Sequence, residues 1–129
     1  MADLAGNRWR SARFREAVSL QLQVYGLEQA TPTPIPGPRA LSESLSDDPP
    51  PLSHIEGVPG WAFGVHADVR QGERLGPQLD AAEQAARLTG REHFGVIAYR
   101  RERATSDAFA ILTLSELAAL ILAAQLREA

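Results

Sequence analysis

The chain has 129 residues and a mass of 14.0 kDa, enough for one domain with one core and too few for two. Cysteine and lysine are both absent and all 13 basic residues are arginine, which excludes disulfides, thiolate chemistry, Schiff bases and a P-loop lysine. A formal charge of −3 and a pI near 5.6 disfavour a dedicated nucleic-acid binder, and no apolar run reaches the roughly 20 residues of a membrane span.

The start, Met1-Ala2-Asp3-Leu4, lacks the basic and then apolar regions of a signal peptide, so an unexported protein is expected. Arginine without lysine, beside abundant Ala, Gly and Pro, points to a GC-rich coding genome.

From Asn7 to Tyr25, Phe14, Val18, Leu22 and Tyr25 recur at spacings of four, four and three, which predicts a helix stopped by Gly26. Arg8, Arg10, Arg13 and Arg15 crowd its first turns, where the helix dipole favours acids. That cluster is either a solvated face or a contact surface. Trp9 within it is either an interface anchor or part of the chain's own core.

Leu27 to Thr31 is expected to be a short strand. Seven prolines then surround the polar run Ser42–Asp48, which predicts a long loop or arm over about 31–53. Ser53 to Ala67 reads as a strand end, a tight turn at Pro59-Gly60 and a second strand, with Trp61, Phe63 and Val65 as its core side. Val69 to Gly76 is turn-like. Pro77 suits the first turn of the next helix, which buries Leu79, Ala82 and Ala86 and ends at Gly90.

Phe94–Tyr99 and Ala108–Thr113 are predicted as an antiparallel strand pair joined by a charged link that holds Arg100, Arg101 and Arg103. Those arginines either contact phosphates or pair with Glu102, Asp107 or a partner's acids. Thr113 and Glu116 have capping-box spacing, and Leu117, Leu120, Ile121 and Ala124 form the apolar face of a last helix. No internal repeat is present. The predicted fold class is α/β (α+β), a small mixed sheet covered by helices in the order α-β(β)β-α-β-β-α, in a single domain.

Two chemical readings of the 53–67 hairpin are weak on the residues alone. Ser53, His54 and Asp68 contain the residue types of a hydrolase triad, without a nucleophile elbow or a Gly-rich oxyanion loop. His54, His66 and Asp68 are types that ligate zinc or manganese, although hairpin histidines more often serve as hydrogen-bonded structural groups. No catalytic residue, metal or cofactor is assigned.

Arg13-Phe14-Arg15-Glu16, Ile55-Glu56-Gly57-Val58-Pro59-Gly60, Ala82-Glu83-Gln84-Ala85 and Val96-Ile97-Ala98-Tyr99-Arg100-Arg101 occur in an order that resembles small actinobacterial and actinophage nucleases of the PD-(D/E)XK superfamily. The family is often called Holliday-junction-resolvase-like, and the resemblance spans about residues 13–121. It implies a restriction-endonuclease-like fold with an Asp, a Glu and a Lys around a divalent metal. His54 stands at the Asp position, Gly64 at the Glu position and His66 at the Lys position; Glu16 and Gln84 match accessory acidic and Gln positions.

The resemblance therefore implies the scaffold of a nuclease with its catalytic set replaced. The function expected is a non-catalytic interaction module with a protein partner or self-assembly, phage or prophage encoded, for example at a virion head-to-tail junction. It would act in the host cytoplasm or the virion and off the membrane. The alternatives are a pseudo-nuclease that binds branched or duplex DNA through Arg8, Trp9, Arg10, Arg13, Arg100, Arg101 and Arg103, and a metal-dependent nuclease with a migrated site.

Overall fold

The computed structural model describes residues 4–34, 52–67 and 75–128. Helix α1 (Leu4–Val24) is followed by β1 (Thr31–Pro32), β2 (Ile55–Glu56) and β3 (Trp61–His66). Helix α2 (Leu75–Leu88), β4 (His93–Ala98), a 3-10 turn (Thr105–Asp107), β5 (Phe109–Ile111) and helix α3 (Leu114–Glu128) complete the chain. The α+β class and the order of elements are those read from the sequence.

Helix α1 forms because Phe14, Val18 and Leu22 share one face. Phe14 and Val18 are buried with Ile55, Val58 and Val65, and each such side chain contributes about 1.5–3 kcal/mol. The helix ends in a Schellman motif: Leu27 N–H donates to the Leu22 carbonyl at 2.9 Å and Gly26 N–H to Gln23 at 3.0 Å, with Gly26 at φ 109°. Helix α2 repeats the device through Arg91 N–H to Ala86 at 2.8 Å, with Gly90 at φ 68°. The expected strand at Leu27–Thr31 shrinks to Thr31–Pro32, because Leu27 to Ala30 complete this helix exit, with Ala30 N–H bonded back to Leu27.

Strands β1 and β2 are antiparallel, Thr31 opposite Glu56 and Pro32 opposite Ile55. The Pro-rich arm thus springs from the two legs of one hairpin; its residues 35–51 lie outside the described residues. Strand β3 runs parallel to β4, as a helical crossover through α2 requires, and β4 pairs antiparallel with β5 as predicted.

The two faces of the β3–β4–β5 sheet are covered unequally. Ala62, Phe94 and Val96 lie under Ala82, Ala85 and Ala86 of α2, whose small side chains allow close approach. On the opposite face Val65 is buried, whereas Trp61 and Phe63, expected as core, are only half-buried. Helix α3 departs further from expectation. Leu117, Leu120, Ile121 and Ala124 do share a side of the helix, yet all four are exposed and no face of α3 covers the sheet.

Candidate functional site

The three positions that resemble a nuclease site converge. The rings of His54 and His66 meet edge to face with centroids 5.4 Å apart, and a Cβ placed on Gly64 would stand 3.1 Å from His66 Nε2. The imidazole of His66 thus occupies the space into which a side chain at 64 would grow. Asp68, the third member of both chemical readings, lies outside the described residues.

His54 and Ser53 do structural work here. The chain bends at His54, just before β2, and beside the backbone bond from His54 N–H to the Phe63 carbonyl at 2.7 Å, two side chains replace the ladder to β3. Ser53 Oγ accepts the Phe63 N–H at 3.0 Å, and His54 Nδ1 accepts the Val65 N–H at 2.8 Å. Ser53 also donates its hydroxyl proton to the Ile55 carbonyl at 2.6 Å and is 1% exposed, so it offers no accessible nucleophile.

With Nδ1 accepting, neutral His54 carries its proton on Nε2. Burial, then the charge of Arg15, then His66, hold its pKa down to about 4, against a weaker opposing contribution from the Val65 carbonyl. Neither ring nitrogen of His54 presents a free lone pair, and Gly64 has no side chain. These residues do not fit a divalent metal of the nuclease type, which takes carboxylate oxygens. Among the described residues no cluster of three metal-ligating side chains occurs.

The α1 residue that faces this site is Arg15 rather than Glu16. Arg15 Nη1 donates to the Thr33 carbonyl at 2.9 Å, whereas Glu16 is exposed, as is Gln84 on α2.

The arginines form a second surface. Phe14 meets Tyr99 edge to face at 5.7 Å, and the 3-10 turn packs on α1, which draws the Arg100–Arg103 link toward that helix. Arg13 lies over the Trp9 ring at 5.0 Å and Arg100 over Phe109 at 5.3 Å. Trp9 is 61% exposed, which removes it from the core. The described ion pairs include none from Arg10, Arg13, Arg100, Arg101 or Arg103 to Glu102 or Asp107. Arg8 lies on α1, and its side chain is outside the described residues.

A third feature went unread in the sequence. An open apolar groove of about 440 Å³ runs over the half-covered sheet face, with Trp61, Phe63 and Ile97 in its floor, Leu22 and Leu27 on one side and Leu120 of α3 on the other. Helix α3 is tied down at its root: His93 Nδ1 donates to Glu116 Oε2 at 2.8 Å, and the His93 ring stacks on Trp61 at 4.9 Å. Arg91 joins the neighbouring elements, pairing with Glu56 of β2 and donating to the Trp61 carbonyl of β3 at 3.0 Å. Beyond its first turn α3 exposes Leu117, Leu120, Ile121, Leu122 and Leu126.

No family model, curated protein or solved structure matches the chain.

Proposed function

We propose that this chain is a non-catalytic protein-interaction module built on a nuclease-like α-β-β-β-α-β core. The observation that carries the reading is α3, an almost uniformly apolar helix held at its root and left uncovered along its length. Soluble monomers rarely leave so large a contiguous apolar surface open, and such patches mark interaction sites. The state of the 54, 64 and 66 positions supports the same conclusion, since phosphodiester hydrolysis by metal-bound water requires hard oxygen ligands that these residues lack.

The test is a cleavage assay on duplex and branched DNA with magnesium or manganese. Background cleavage is expected, equal in the wild-type chain and in His66→Ala. Cleavage abolished by His66→Ala would overturn the reading in favour of a migrated nuclease site. The setting that accompanies the family resemblance is a phage or prophage, with the chain as an adaptor in virion assembly in the host cytoplasm or the virion. Its presence in purified particles, detected by immunoblot, tests that setting.

A second reading draws on the arginine-capped aromatics. Exposed Trp9 and Phe109, each under a guanidinium, resemble the stacking platforms and cationic contacts by which proteins hold nucleic acid. The net charge of −3 opposes it. A salt-dependent affinity for DNA that vanishes on changing Arg100 and Arg101 to Glu would favour it.

A further inference from the structure

Among the described residues two apolar surfaces lie open, one concave and one convex. One is the groove, a trough between α1 and α3 across a sheet face where a further helix would complete the layer. The other is the side of α3 opposite Leu120, where Leu114, Leu122 and Leu126 are 59–81% exposed.

We infer that two copies of the chain pair about a two-fold axis, α3 of each lying in the groove of the other. This rests on the interaction reading above and names the partner as a second copy.

Charge argues against an electrostatically guided partner at this surface. Between Leu114 and Gln125 the helix carries one ionisable residue, Glu116, and that carboxylate is turned back onto His93. An apolar helix without charges along its length suits an interface core.

Area argues for exchange. The 15 residues of α3 make a rod about 22 Å long and about 10 Å across, so one side of it covers roughly 350 Å². Reciprocal exchange buries a helix side and the smaller lining of a groove on every copy, roughly 500 Å² per chain and about 1,000 Å² in all, the lower end of specific interfaces and the size of a dimer that dissociates on dilution. Symmetry closes the arrangement. Because α3 is itself a wall of the groove, a helix entering from a second copy meets its own counterpart, and both contacts form together in an isologous pair.

Sedimentation of the full chain over a range of concentrations tests the inference. The expected species has twice the 14.0 kDa chain mass at high concentration and dissociates on dilution. Leu126→Arg on α3 and Ala110→Arg in the exposed lining of the groove are each expected to leave a monomer with an unchanged circular-dichroism spectrum. Mixing the two variants restores one of the two helix–groove contacts, so a mixed dimer should form where neither variant dimerises alone.

A wild-type chain that stays monomeric at its highest soluble concentration overturns the inference, as does a dimer that survives both substitutions or two folded monomeric variants that fail to complement. A monomer without nuclease activity would leave the interaction reading standing with a different partner. Cleavage lost in His66→Ala would remove that reading whatever the mass.

Discussion

His93 Nδ1 and Glu116 Oε2, 2.8 Å apart, join the first residue of β4 to the first turn of α3. The Glu116 side chain is 10% exposed and its backbone N–H is capped by Thr113 Oγ1 at 3.2 Å, so the two halves of the predicted capping box serve different ends. One half starts the helix and the other fixes its direction. Glu116→Ala should cost about 1–3 kcal/mol, because it leaves a half-buried imidazole N–H unpaired. Hydrogen exchange checks this: amides of residues 117–128 should lose protection while those of β3 and β4 keep theirs.

His54 gives the fold a pH dependence of definite sign. Its folded pKa of about 4 lies below the ordinary 6.5, so between these values the unfolded chain binds the extra proton. Stability is complete above pH 6.5 and falls as the pH drops toward 4, by roughly 3 kcal/mol at most. Urea titrations across this window should show the decline, and His54→Asn, which keeps an acceptor for Val65 N–H without a titrating group, should flatten it.

Ser53→Ala removes a hydroxyl that serves Phe63 N–H and the Ile55 carbonyl together. Leaving a buried donor without its acceptor costs about 1–3 kcal/mol, read as a lower denaturation midpoint with an unchanged slope. Ser53→Thr offers the same oxygen and should retain part of the loss.

Two glycines with positive φ should respond very differently to alanine. A Cβ at Gly57, φ 83°, would stand 1.8 Å from the Gln29 carbonyl oxygen, a backbone atom that cannot step aside. Gly57→Ala is expected to cost upwards of about 4 kcal/mol or prevent folding. At Gly26, φ 109°, nothing lies within 4 Å, so Gly26→Ala carries only the conformational cost of about 1–2 kcal/mol. Thermal melts of the two variants separate the cases.

What the sequence disclosed was whatever repeats along a single element. The i, i+4, i+8 spacing of Phe14, Val18 and Leu22 marked α1, glycines marked both helix exits, and Pro59-Gly60 marked the tight turn before β3, where Trp61 N–H closes on the Val58 carbonyl at 3.2 Å; the two strands beside that turn pair in separate sheets and form no hairpin ladder. Adjacency across the chain stayed hidden. Glu116 looked like a capping residue because its local spacing fits one, and its partner His93 is 23 residues away. The apolar stripe of α3 predicted a covered face, but periodicity specifies which side chains align and says nothing of whether a surface opposes them. At positions 54, 64 and 66 the sequence disclosed the residue types, two histidines and a glycine, and not what they touch. That the side chains of Ser53 and His54 hydrogen-bond to β3 depends on the bend at His54, which no residue pattern announces.

The contact between position 64 and the ring of His66 makes the order of substitutions matter. With His66 in place, a Cβ at 64 stands 3.1 Å from Nε2, so the imidazole must give way before any longer side chain can extend there. Shorten residue 66 first and a Cβ at 64 meets Val96 Cγ2 at 3.6 Å, an ordinary van der Waals contact. The two sites are therefore epistatic, and a stepwise route toward a carboxylate at 64 passes through residue 66.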